Sequence, residues 1–113
     1  MIQIFGTKKC KDTQKAERYF KERGVAYQFR DLTQKGVSKK ELENFTQHYE
    51  LEDLIDKEGK QYSKRNLKFI LHDIENELLE DPLLFRTPIV RKERKVVLGY
   101  DSEGWSKFAE DGS

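Results

Sequence analysis

The stretch from Ile2 to Phe29 constrains the fold more than any other part of the chain, because two strand-like runs flank one amphipathic helix within about 30 residues. Met1-Ile2-Gln3-Ile4-Phe5 is a short apolar run that breaks at Gly6-Thr7-Lys8-Lys9. From Cys10 onward, Thr13, Ala16, Tyr19 and Phe20 recur on one helical face, while Lys15, Glu17, Arg18, Lys21 and Glu22 fill the other. Gly24 stands where a left-handed cap would end the helix. Val25, Tyr27 and Phe29 then alternate with Ala26, Gln28 and Arg30, the period of a strand with one apolar face. Strand, helix and strand at this spacing form a βαβ unit, whose two strands lie parallel.

The middle of the chain changes period. Ser38 with Glu41 three residues on is a capping-box pattern, and Leu42, Phe45 and Tyr49 follow at helical spacing, which predicts a helix over about Ser38 to His48. Leu51, Leu54 and Ile55 predict one further turn before a break at Gly59. Leu67, Ile70, Leu71, Ile74 and Leu78 predict a last helix up to Asp81-Pro82, with a kink near Leu71-His72-Asp73 as the alternative that splits it. Strands return at Thr87 to Arg91 and Lys95 to Leu98, joined by Lys92-Glu93-Arg94 as a hairpin. After Gly99, Ser102 is placed to cap a final helix with Trp105 and Phe108 inward.

A chain of 113 residues is expected to be one domain with a modest core. Hydrophobic residues make up 35% and charged residues 38%, so the core must rest on the few periodic aromatic and aliphatic positions. Lysine and arginine (22) nearly balance aspartate and glutamate (21), which removes the electrostatic case for a general nucleic-acid binder but leaves a local basic patch open. There is no signal-peptide pattern and no apolar run approaching ~18 residues, so a soluble, cytoplasmic protein with no membrane partner is expected.

Cys10 is the one cysteine of the chain. That excludes an intramolecular disulfide and a cysteine-only metal site, and it fits a reducing compartment. His48 and His72 fall on different segments without a second cysteine, too few ligands for zinc, so no metal site is predicted and both read as surface residues. No serine carries the glycines of a nucleophile elbow, which disfavours a hydrolase. A thiol at the first turn of a helix faces N–H groups that lack intrahelical partners, and those favour its ionised form. Lys8, Lys9 and Lys11 add positive potential, and the Thr13 hydroxyl is within reach of a thiolate. The competing readings are a small buried hydrophobe at Cys10, solvated charge at the lysines, and an ordinary first-turn residue at Thr13.

With Ile4-Phe5-Gly6-Thr7-Lys8-Lys9-Cys10-Lys11-Asp12-Thr13-Gln14-Lys15-Ala16, Gly24-Val25-Ala26-Tyr27, Asp31-Leu32, Asn66-Leu67-Lys68, Pro82-Leu83-Leu84-Phe85 and Thr87-Pro88-Ile89-Val90 in this order, the chain resembles the arsenate reductase-like family. That group includes glutaredoxin-coupled arsenate reductases and Spx-type transcriptional regulators. The resemblance implies an α/β, thioredoxin-like fold: βαβ and ββα halves around a four-stranded mixed sheet, as a single domain over 1–113 with a helical insertion at about 38–80. It implies that Cys10 is the redox residue and that Pro88 is a cis-proline facing it. Thr87, Pro88 and, through a local shift, Arg86 would meet the substrate.

Two departures from the family pattern bear on function. Where the arsenate reductases carry arginines for the oxyanion, this chain has Asp56, Thr87 and Gly99, and Arg65, Arg91 and Arg94 read more simply as solvated charges. Where Spx-type regulators carry the second cysteine of Cys-x-x-Cys, it has Thr13. The resemblance therefore implies a thiol oxidoreductase without a bound cofactor, acting on a small thiol or disulfide. Glutathione or a glutaredoxin would serve as the external resolving thiol. An Spx-type non-enzymatic regulator contacting RNA polymerase is the alternative, and a true arsenate reductase a further one.

Overall fold

The computed structural model describes residues 1–69 and 73–111. It comprises two compact units, one formed by Met1–Asp31 with the chain from Thr87 onward, the other by Leu32–Arg86.

The first unit contains β1 (Ile2–Gly6), α1 (Lys11–Glu22), β2 (Tyr27–Asp31), β3 (Ile89–Lys92) and β4 (Lys95–Leu98). The sheet has four strands in the order β2-β1-β3-β4. β2 runs parallel to β1, as a crossover helix requires, with Ile4 opposite Phe29. β3 is antiparallel to β1, with Ile4 opposite Val90, and β4 is antiparallel to β3. This is the expected thioredoxin-like mixed sheet.

Alternation along β1 sends Ile2 and Ile4 to one face and Gln3 to the other. Ile2, Ile4, Val90 and Val97 pack with Ala16 and Phe20 of α1 and with Trp105 and Phe108 of the C-terminal helix of this unit. On the opposite face Gln3 accepts a bond from Arg91 Nε at 2.9 Å and donates to Gln28 at 3.1 Å. α1 therefore cannot rotate or slide without moving Ala16 and Phe20, both fully buried, out of the core. Its C-terminus is closed by the Schellman pattern: Gly24 N–H donates to the Lys21 carbonyl at 3.1 Å and Val25 N–H to that of Phe20 at 2.9 Å. Gly24 itself takes φ +67.

The second unit is helical. Ser38 caps α2 (Lys39–Thr46) by accepting from Glu41 N–H at 3.1 Å, and the Glu41 carboxylate accepts from Ser38 N–H at 3.0 Å, so the capping box closes. α3 (Leu51–Leu54), α4 (Lys60–Lys64) and α5 (Ile74–Glu80) follow, with 3-10 turns at Leu67–Phe69 and Pro82–Leu84. Helices this short are not stable alone and rely on packing. Leu42, Phe45, Leu54, Leu78, Leu84 and Phe85 supply a buried set, and Arg65 ties α4 to α5 through Glu77 at 2.7 Å and Asp81 at 3.0 Å.

Three expectations are corrected. Gly59 is not merely a break but the N-cap of α4, a helix whose sequence carries no apolar stripe beyond Tyr62. The single last helix from Leu67 is instead a 3-10 turn and a separate α5 capped by Asp73, in line with the alternative of a split near Leu71-His72-Asp73, of which Leu71 and His72, like Ile70, lie outside the described residues. The final helix, α6 (Ser102–Asp111), is capped by Asp101 rather than Ser102, because Asp101 Oδ1 accepts from Gly104 N–H at 3.0 Å. Among the described residues no helix is long and apolar enough to cross a membrane.

Gly24→Ala is expected to lower stability by about 1 kcal/mol in equilibrium urea unfolding with an unchanged m-value. A Cβ at Gly24 would meet nothing within 4 Å, so the cost is that of the left-handed backbone alone, and an unchanged midpoint would contradict this account of the cap.

Candidate functional site

Cys10 is the N-cap residue of α1, with an extended backbone at φ −75 and ψ 117. Its N–H donates to the Thr7 carbonyl at 3.2 Å and its carbonyl accepts from Gln14 N–H at 3.0 Å, so the loop enters the helix through a closed turn. Gln14 Nε2 adds a bond to the Lys8 carbonyl at 2.5 Å. The thiol is half-buried.

The Thr87–Pro88 peptide bond is cis. Thr87 Oγ1 donates to Cys10 Sγ at 3.2 Å, and the protonated sulfur can in turn donate to the Thr87 carbonyl at 3.8 Å. Gly99 N–H donates to the Pro88 carbonyl at 2.7 Å, which fixes the end of β4 against the residue after Thr87.

Burial acts on Cys10 by pushing its pKa up, since a desolvated thiolate is costly. The Thr13 hydroxyl, the Thr87 hydroxyl and the backbone N–H groups of Thr13 and Asp12 together outweigh burial and hold the thiol below its ordinary value. The Thr87 bond has ordinary geometry in the thiol form. The Thr13 hydroxyl is close enough to act on the sulfur but is not closed onto any acceptor, and Sγ makes no capping bond of ordinary geometry to the helix. These contacts tighten when the sulfur carries charge, because a thiolate accepts far better than a thiol.

Of the site residues expected from sequence, Cys10, Thr13 and Thr87 come together, with Pro88 buried directly after Thr87. Lys11 is exposed on the first turn of α1 and is not among the groups that lower the thiol. Arg86 belongs to the second unit, where its side chain is exposed and its N–H donates to the Leu54 carbonyl at 2.7 Å. His48 is exposed and His72 lies outside the described residues. Among the described residues no three His, Cys, Asp or Glu side chains gather as metal ligands would. Gly6 is the residue that sequence reasoning misses, although Thr13 packs directly on it; the only signal is a glycine at the end of β1.

The model of the ArsC family matches residues 5–108, nearly the whole chain. The chain belongs to the ArsC family. The relatives and neighbours carry different descriptions. The global transcriptional regulator Spx 2 of Oceanobacillus iheyensis is 25% identical over 112 residues, covering 95% of this chain and 82% of the regulator. Among solved structures, the YFFB (PA3664) protein superimposes at a TM-score of 0.82 with 19% identity, over 95% of this chain and 97% of its own. An arsenate reductase from Vibrio cholerae superimposes at 0.78 with 20% identity, over 94% and 95%. At such identity the structural likeness establishes the thioredoxin-like fold of this ArsC-family chain.

Because the folded pKa of Cys10 lies below that of the unfolded thiol, near ~8.5, ionisation favours the folded state. Its contribution is fully present above the unfolded pKa and is lost as pH falls through the folded one. The stability advantage of the native chain over Cys10→Ser should therefore grow with rising pH across that window and level off above it. Urea unfolding of both proteins from mildly acid to mildly alkaline pH checks this, and a difference independent of pH would contradict it.

Proposed function

We propose that this ArsC-family chain is a single-cysteine thiol oxidoreductase in which Cys10 is the nucleophile and a second thiol comes from outside. The observation that carries the reading is the half-buried Cys10 sulfur at the N-cap of α1, held below its ordinary pKa despite burial and bonded by the Thr87 hydroxyl at 3.2 Å. A thiolate is the attacking form in disulfide exchange, and a depressed pKa enlarges the fraction of it present at any pH below the ordinary thiol value.

The cycle balances with one external thiol, which leaves as a mixed disulfide with half of the substrate. The Cys10 thiolate attacks one sulfur of a disulfide; a new S–S bond forms to Cys10, the substrate bond breaks, and the released thiolate takes a proton from solvent. An external thiol, glutathione or a glutaredoxin, then attacks the mixed disulfide on the substrate-derived sulfur. The electron pair of the broken bond returns to Cys10 as a thiolate. With Thr13 where a second cysteine would stand, nothing in the chain competes with that external thiol. Thr87 and Pro88 would bound the partner sulfur, and the exposed Lys8, Lys9 and Lys11 would attract an anionic thiol.

A second reading has its own support. The Spx regulators matched over nearly the whole chain favour a regulatory protein that contacts RNA polymerase, with the cysteine secondary. Arsenate reduction is supported less, because Asp56, Thr87 and Gly99 stand where oxyanion-binding arginines would be needed.

Incubation with glutathione disulfide followed by intact-mass analysis should give one glutathione adduct per chain, removed again by reduced glutathione and abolished in Cys10→Ser. Glutathione-dependent turnover of a small mixed disulfide should disappear in the same variant. Retention of RNA polymerase by both the native chain and Cys10→Ser, with no adduct and no turnover, would overturn the proposal in favour of the regulator.

A further inference from the structure

Thr13 is fully buried, and its Oγ1 has no hydrogen-bond partner. A buried donor without an acceptor is held against a desolvation cost, so its retention calls for a group that accepts in another state of the molecule. Thr13 is the third residue of α1 and Cys10 its N-cap. Side chains on a helix lean toward its N-terminus, and it is from this third position that a capping-box side chain reaches back to the N-cap. The hydroxyl is thus set beneath Sγ, and a thiolate there is a strong acceptor where a thiol or a disulfide sulfur is a weak one.

Gly6 makes this placement feasible. A Cβ on Gly6 would lie 2.4 Å from Thr13 Oγ1 and 2.7 Å from its Cγ2, closer than real Cβ contacts allow. Gly6 is the last residue of β1. What requires glycine there is the close approach of the Thr13 side chain, and any larger residue would displace the hydroxyl from beneath the sulfur.

We infer that Gly6 and Thr13 form a positioning pair that favours Cys10 as a free thiolate over Cys10 in a mixed disulfide. The inference rests on the reading of Cys10 as a working thiol and adds a direction to it. When an external thiolate attacks the partner sulfur of the adduct, a new S–S bond forms between the two external sulfurs. The bond to Cys10 breaks, and its electron pair leaves on Cys10 Sγ. Thr13 gains its missing acceptor at that moment, which makes Cys10 the better leaving group. An adduct at this site is short-lived, a property of repeated turnover rather than of a stored modification. The lowering of the Cys10 pKa by the Thr13 hydroxyl agrees with this geometry.

The test compares the full chain with Thr13→Val, Thr13→Ser and Gly6→Ala. Each is equilibrated in mixtures of reduced and oxidised glutathione for mass analysis, and its thiolate is titrated by ultraviolet absorbance. Thr13→Val should raise the Cys10 pKa and, in buffers alkaline enough to ionise the thiol, raise the equilibrium constant for the glutathione adduct by up to roughly tenfold. Thr13→Ser should return both toward the native values, and Gly6→Ala should follow Thr13→Val. Thr13→Val removes a hydroxyl that has no partner in the thiol form, so it keeps the fold, and the two Thr13 variants carry the test even if Gly6→Ala fails to fold. Ready adduct formation in all variants with unchanged pKa and yield would overturn the positioning pair and leave the proposed function standing. No adduct in the native chain or in any of the variants, even with oxidised glutathione in large excess, would overturn the proposed function, and this inference with it.

Discussion

The packing of Ala16 and Phe20 on Ile2, Ile4 and Val90 is the constraint on which the thiol site depends. It fixes α1 in rotation and height against the sheet, and so fixes where its first turn opens. With the helix closed at its far end by Gly24 and entered through the Thr7 to Cys10 turn, Cys10 has little freedom in where it stands. β3 is aligned by the same sheet, with Val90 opposite Ile4. Thr87 therefore arrives beside the sulfur as a consequence of register, two residues before β3 begins.

The chemistry of the site is a contest between burial and donors. Burial alone would keep the sulfur protonated, and it is the largest single influence on Cys10. What reverses the outcome is a set of neutral donors, two hydroxyls and two backbone N–H groups, with no guanidinium among them. Neutral donors at fixed positions stabilise a sulfur anion without an ion pair.

Much of this arrangement is written in the amino-acid sequence. An apolar run, then a period of 3.6, then a period of two between Ile2 and Phe29 specify β1, α1 and β2, because in each the apolar positions that pack on the core show in the side chains. Ser38 and Glu41 mark α2 through a local bond that needs no tertiary context. α4 is not legible in this way: Lys60, Gln61, Ser63 and Lys64 surround a single buried Tyr62, and the segment is secured by Arg65 reaching Glu77 and Asp81 at α5, a contact that no local pattern encodes. Sequence places the cap of α6 one residue too late because Asp101 and Ser102 are both good caps, and only the bond to Gly104 distinguishes them. At the site itself, order and resemblance are enough to name Cys10, Thr13 and Thr87. The closeness of Gly6 to Thr13 is set by how α1 lies on β1 and shows in the sequence only as a glycine at the end of the first apolar run.

The most direct test of the account is the pH dependence of Cys10 alkylation in the folded protein, set beside the urea-unfolded chain, whose thiol should titrate near ~8.5. The account predicts a folded profile displaced to lower pH, so that alkylation sets in at lower pH than in the unfolded chain. A folded thiol that titrates with the unfolded chain, or one protected from reagent at every pH, would contradict it.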